Sequence, residues 1–382
     1  MDHAPSIILI AAAAFVLPIA ARRARLPAVV LEILFGILVG PSVLGWLQES
    51  EVVASLAEIG FFLLMFLSGF EIDFRQLERQ GVRQIAIGVM VFALTLYLAY
   101  EAGAALGHGP FVTLVLATTS VGLVVPTLRS GGWIATRLGQ AILISALLAD
   151  FLTLTGATVF AMVEEHGVGQ QLLAFPLLFV VGGLMLVFLR TVAWWYPERF
   201  ERLFDPADPQ ELGIRMCLAF MFVFVGLATL LGIEAILGAF LAGTVFAMVF
   251  RHRGVLEQKL NGFSYGFLVP IFFIHVGTRF DLAALTGPGV LIAAFQLIAA
   301  AILVKVVAAA PLLLQRLTIR ETLAAGVLLS TRLSLVIAVA ELGARLGFLD
   351  RRLESEVILL AIVTSTLSPV LFRWIAPKPR PA

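Results

Sequence analysis

The dominant pattern along the chain is a succession of helix-length apolar runs separated by short stretches of charged and turn-forming residues. A helix rises about 1.5 Å per residue, so a run of ~20 apolar residues crosses the ~30 Å hydrocarbon layer of a bilayer. With charges and turns as punctuation, the pattern predicts thirteen transmembrane helices, at roughly 5–21, 27–46, 53–70, 84–106, 110–128, 138–163, 171–194, 212–230, 233–250, 263–280, 287–315, 321–344 and 355–376. The longest polar connector, "YPERFERLFDPADPQELGIR", follows the seventh of these. The first run, "PSIILIAAAAFVLPIAARRAR", has no basic residue before it and ends in arginines. That is the reverse of a signal peptide, so a retained first helix is expected. The fold class this predicts is an all-α polytopic membrane protein.

Composition removes the soluble alternative. Of 382 residues 60% are hydrophobic and 13% charged, with a mean hydropathy of +1.03. A soluble domain is about half apolar and a quarter charged. The net charge of +1 gives no reason to expect a nucleic-acid partner. A single cysteine, Cys217, excludes an intramolecular disulfide and a thiolate metal site, and no cofactor is expected. Charge does orient the chain. Of the 26 Lys and Arg residues, twenty fall on one side of the thirteen spans and only Arg279, Arg345, Arg351 and Arg352 on the other. By the positive-inside rule the N-terminus is expected outside and the C-terminus in the cytoplasm, across a cell (inner or plasma) membrane. The remaining two, Lys305 and Arg332, fall within spans.

Two pairs of segments echo one another. Helix three contains "GFFLLMFLSGFEIDF" and helix ten "GFLVPIFFIHVGTRFDL", each rich in Phe and ending in Gly-x-x-x-Asp, from Gly69 to Asp73 and from Gly277 to Asp281. "LEILFGILVG" in helix two likewise echoes "IEAILGAFLAG" in helix nine, with Glu32 to Gly36 matching Glu234 to Gly238. Each second copy lies seven helices after the first, and an odd offset inverts the topology. The expected architecture is an inverted repeat of two six-helix units, helices 1–6 and 8–13, joined by helix seven.

In such plans the site lies where corresponding spans are interrupted. Helix five reads "LATTSVGLVVPTLRSGG", in which Gly122 and Pro126 are the expected helix-breaking residues beside Thr119 and Ser120. Its counterpart, helix twelve, reads "LLSTRLSLVIA", with Ser330, Thr331, Arg332 and Ser334 in mid-span. Crossed broken helices are the expected result. Helix six then brings "LISALLADFLTLTGATVF", with Asp150 at its centre. A charge at the bilayer centre costs roughly 2.5–3.5 kcal/mol on insertion scales, so Asp150 must be protonated, paired or bathed by water. A carboxylate poised among those states binds a proton or a metal cation in competition, which is the minimal chemistry of a cation/proton exchanger. The plainer alternative is a structural ion pair between Asp150 and Lys305 or Arg332. Arg332 reads best as neutralising helix ends at the break. Thr119 and Ser120 either ligate an ion or satisfy local carbonyls. Glu341, near a span end, is expected on a solvated face.

These features resemble the second monovalent cation:proton antiporter family, which includes bacterial Na+/H+ antiporters and the membrane part of potassium efflux systems. The likeness covers nearly the whole chain and rests on "GILVGPSVLG" (36–45), "LAEIGFFLLMFLSGFEIDF" (56–74), "TTSVG" (118–122), Asp150, "FFIHVGTRFDL" (272–282) and Lys305. It implies a homodimeric elevator. Residues 1–83 and 212–286 would form a dimerising scaffold, 84–166 and 287–382 a mobile core, and 167–211 a linker helix and cytoplasmic loop. It further implies that Asp150 binds the cation (Na+ or K+) and the proton, with Thr119 and Ser120 at the helix crossing and Lys305 as charge partner. The sequence departs from the family in two places. Ala149-Asp150 stands where electrogenic members carry Asp-Asp and the potassium-efflux branch Gln-Asp, and Arg332-Leu333-Ser334 stands for Arg-Gly-Glu. One carboxylate fewer suggests electroneutral exchange, with Lys305 free to pair with Asp150 itself. The regulatory tail of the potassium-efflux branch has no counterpart, so ligand gating from within this chain is not expected. The competing reading is a cation-coupled transporter of a small organic anion held by Arg332 or Lys305. No metal-ligand spacing and no nucleophile–base pair suggests an enzyme.

Overall fold

The computed structural model describes residues 4–24, 26–47, 50–70, 81–167, 174–195, 210–249, 254–283 and 289–378. Asp73, the inner partner of Gly69, and most of the connector after the seventh span lie outside these. Helix occupies each expected span: α1 (Ala4–Ala24), α2 (Ala28–Val39), α3 (Glu51–Phe70), α4 (Val82–Ala105), α5 (Phe111–Ala117), α6 (Val121–Ser130), α7 (Arg137–His166), α8 (Ala174–Trp195), α9 (Leu212–Leu230), α10 (Ala235–Val249), α11 (Gly254–Phe263), α12 (Val269–Thr278), α13 (Val290–Ala308), α14 (Ile319–Leu329), α15 (Ser334–Arg345) and α16 (Arg351–Ile375). A π-helical turn, Ser264–Leu268, joins α11 to α12, and a 3-10 segment, Ala310–Gln315, follows α13. No strand occurs among the described residues. Among them, nine helices are long and apolar enough to cross a membrane, or ten if α14 and α15, bent by 47° at their break, count as one span. Three more apolar helices are shorter. A backbone in hydrocarbon has no water to bond, so helix is the form that satisfies each amide within its own segment.

The chain divides into two compact units. The first holds α3 and α8–α11 with adjoining parts of α1, α7 and α12. Its centre is a close crossing of α3 and α10. A Cβ at Gly69 would collide with the Phe240 carbonyl oxygen, and one at Gly243 with that of Phe66. Backbones in such contact gain dispersion that larger side chains would prevent. Phe66, Phe70 and Phe246 close around the crossing, with ring centroids 5.6–6.2 Å apart. Gly243→Val is expected to cost about 1–3 kcal/mol through overpacking. It would appear as a lower melting temperature in detergent; an unchanged one would show that the helices part freely.

The second unit holds α2, α4–α6 and α13–α16 with the rest of α1, α7 and α12. Here α2 meets the end of α12 in the same manner: a Cβ at Gly277 would collide with the Ile33 carbonyl oxygen, and one at Gly40 would lie 2.9 Å from the Thr278 Cα. α14 starts on a capping box in which Thr318 and Glu321 bond each other's backbone amides. α16 starts on Asp350, whose carboxylate accepts from the Leu353 amide at 2.8 Å.

Candidate functional site

Both interruptions belong to the second unit, and hydrogen bonds join them. Between α5 and α6 the chain leaves the helix at Thr118–Ser120. This corrects the expectation that Gly122 and Pro126 make the break: both lie inside α6, downstream of it. The physical reason is that hydroxyls take over the backbone's partners. Thr118 Oγ1 donates to the Val115 carbonyl at 2.8 Å, and Thr119 Oγ1 donates to the Leu329 carbonyl at 3.1 Å. Proline within a membrane helix is tolerated when its surroundings re-satisfy the freed carbonyl. Between α14 and α15 the break falls at residues 330–333, as the sequence suggested.

Each break leaves carbonyls exposed at a helix C-terminus, the negative end of the helix dipole. Two buried cations meet them. Arg332, 0% exposed, reaches the Leu116 carbonyl of α5 at 2.7 Å, the Ala301 carbonyl of α13 at 3.0 Å and the Ser330 carbonyl after α14 at 3.1 Å. Lys305, 3% exposed, donates from Nζ to the Ala117 carbonyl at 2.6 Å and to Thr119 Oγ1 at 2.8 Å. The helix-end role read for Arg332 is therefore its geometry here, and Lys305 shares it. Thr119 is a bridge that accepts from Lys305 while donating to Leu329.

Asp150 sits in the middle of α7, half-buried. The amide of Val121, the first residue of α6, points at its Oδ2 at a long 3.4 Å. A carboxylate thus faces the positive end of α6, while cations cap the negative end of α5. Lys305 lies within electrostatic range of both Asp150 and Arg332. Ser120 is buried beside this break, 1% exposed. Ala149 packs into an apolar cluster with Phe92 and Ala117, against which Leu96 and Leu152 also lie. The position next to the carboxylate is filled by apolar packing.

Several groups have surroundings that the sequence reading did not give them. Thr153, one turn beyond Asp150, and Thr331, within the second break, are fully buried with hydroxyls that bond no described residue. Their i+3 spacing from Asp150 and adjacency to Arg332 were the available signals. Glu32, used only as a repeat marker, is buried within α2 at 3% exposure. Glu341 is not on a solvated face: it pairs with Arg279 and lies 3.3 Å from Arg345, while Arg279 also reaches Glu354 at 3.1 Å. Nearby, the Asp281 amide donates to Ser355 Oγ at 3.0 Å. Among the described residues no group of His, Cys, Asp and Glu could hold a metal ion in the manner of a multidentate centre.

Comparison with known proteins fits this geometry. Residues 10–377 match the family described as "Sodium/hydrogen exchanger, transmembrane". The putative Na(+)/H(+) antiporter YjbQ of Bacillus subtilis is 31% identical over 96% of this chain, which spans 62% of that relative's length. The Na(+)/H(+)-K(+) antiporter GerN of Bacillus cereus is 26% identical over 91% of this chain and 89% of its own. In fold the chain resembles the sodium proton antiporter MjNhaP1 of Methanocaldococcus jannaschii, with a TM-score of 0.66 over 97% of this chain and 95% of that one at 15% identity. The family match runs through the broken helices, Asp150 and Lys305 alike, and the chain is a multi-pass membrane protein belonging to the sodium/hydrogen exchanger family.

Proposed function

We infer that the chain is a secondary antiporter that exchanges a monovalent cation, Na+ or K+, for protons at Asp150. The observation that carries this is the Asp150 carboxylate facing the N-terminal end of α6 at the point where two broken helices meet. Protonated, it is neutral and tolerated at that depth; ionised, it offers a monovalent cation two oxygens, with Ser120 the nearest candidate hydroxyl in sequence across the break. Thr119 joins the ligand set only if it releases Lys305. Lys305 and Arg332 donate to the helix-end carbonyls of Ala117, Leu116 and Ser330, which weighs against their holding an organic anion.

The apolar packing of Ala149 supports one titrating carboxylate per cycle and hence electroneutral, one-for-one exchange. Thirteen spans in an inverted repeat are supported by reciprocal packing: Gly69 of α3 abuts α10, and Gly277 of α12 abuts α2, the corresponding pair. On this reading residues 84–166 and 287–382 carry the ion as an elevator core past a dimeric scaffold, with the C-terminus cytoplasmic. In liposomes holding a pH dye, a step of external Na+ or K+ is expected to alkalinise the lumen at a rate independent of a clamped membrane potential. Absence of flux with either ion would remove the antiporter reading, and a potential-dependent rate would remove electroneutrality.

A further inference from the structure

Away from the breaks, the second unit contains a cavity of about 390 Å3, within the range that holds small ligands. Arg83, Arg137 and Arg316 line it together with Gln84, Gln140 and Thr136, and no Asp or Glu does. We propose that these three arginines form a binding site for a phosphate-bearing anion, supplied by an anionic phospholipid headgroup or by a free phosphate.

The arginines come from three places: the first turn of α4, the first residue of α7, and the residue that follows the 3-10 segment after α13. None forms an ion pair with a carboxylate among the described residues. Arg83 uses one nitrogen on the Leu314 carbonyl at 2.9 Å, which ties α4 to the 3-10 segment and leaves its other donors for a ligand. Arg316 has φ 60°, a left-handed backbone conformation uncommon outside glycine, in the turn that follows the 3-10 segment. Three guanidinium groups around one space repel one another until an anion arrives. The amide-rich first turns of α4 and α7 add positive potential at the same place. A carboxylate offers two oxygens, too few for three forks, whereas a phosphate offers up to four and matches the planar guanidinium in pairs. Gln84 supplies a neutral partner for the ester or glycerol oxygens beyond it, while Gln140 and Thr136 are held by the backbone around Trp133 and Ile134 and fix the wall of the site. The site shares no residue with the proposed ion path, so it stands or falls independently of antiport.

The test uses the full chain in a neutral detergent at fixed ionic strength, titrated separately with dioctanoyl phosphatidylglycerol, dioctanoyl phosphatidylcholine and inorganic phosphate. Binding is read by phosphorus NMR line broadening and by melting temperature. Wild type is expected to bind phosphatidylglycerol or inorganic phosphate saturably, and phosphatidylcholine not at all. The variant R83Q/R137Q/R316Q is expected to bind about tenfold or more weaker, and R83K/R137K/R316K to fall between, which separates charge from misfolding. Phosphatidylglycerol binding that free phosphate does not displace assigns the site to lipid; displacement assigns it to phosphate itself. No saturable binding of either by wild type, or equal binding by the Gln variant, would overturn the proposal.

Discussion

Asp150→Asn is expected to abolish cation-driven proton flux, down to the leak of protein-free liposomes, while leaving the melting temperature within about two degrees of wild type. The side chain keeps its shape and an oxygen to accept from the Val121 amide, so the contact at the start of α6 survives. On the proposed reading, what it loses is the ability to exchange a proton for a cation. The two readings of Asp150 separate cleanly here. Were the carboxylate a structural partner of Lys305 or Arg332, its neutralisation would strand a buried cation at a cost of about 3–5 kcal/mol, and stability would fall with the flux. Flux that persists in a well-folded Asn variant would mean that another group carries the proton, with buried Glu32 the first to examine.

The largest loss of stability is expected from Arg332→Ala. One guanidinium serves the Leu116, Ala301 and Ser330 carbonyls, joining α5, α13 and the end of α14. Each buried carbonyl left without a donor costs about 1–3 kcal/mol. The Leu116 and Ser330 carbonyls at the breaks lose their donor, while the Ala301 carbonyl inside α13 keeps its intrahelical partner. Two such losses are a large share of the ~5–15 kcal/mol that holds a protein folded. Little folded protein should survive size-exclusion chromatography after solubilisation. Arg332→Lys should recover part of it, since an ammonium reaches one or two of the carbonyls but not all three in a plane. An Ala variant that melts like wild type would show that water replaces the guanidinium and that the break is wet.

The spans and the charged residues within them were legible because hydrocarbon makes both conspicuous: apolar runs have no other purpose at that length, and a charge among them stands out. Asp150, Lys305 and Arg332 were each visible for that reason. The location of the first break was not. Pro126 and Gly122 carry the local signals for a weak helix, yet the chain opens at Thr118–Ser120. What decides it is an acceptor 210 residues away for Thr119 and a donor 188 residues away for the Ala117 carbonyl. Local pattern carries no such information. Glu341 was misread for the same cause, its partner Arg279 lying 62 residues earlier. The absence of a second carboxylate was legible as Ala149, but the apolar cluster that fills its place took the fold to reveal.

The long reach of Arg332 has a consequence for how the protein is made. The open end of α5 is synthesised 216 residues before the guanidinium that covers it at Leu116. At roughly 5–20 residues per second, a ribosome takes about 10–40 s to deliver that residue. Throughout this interval the half-built core must keep bare carbonyls away from lipid, either in the aqueous insertion channel or against a temporary partner. The first half of this membrane domain is thus born dependent on the second, and a chain stalled before Arg332 emerges is a natural target for membrane quality control.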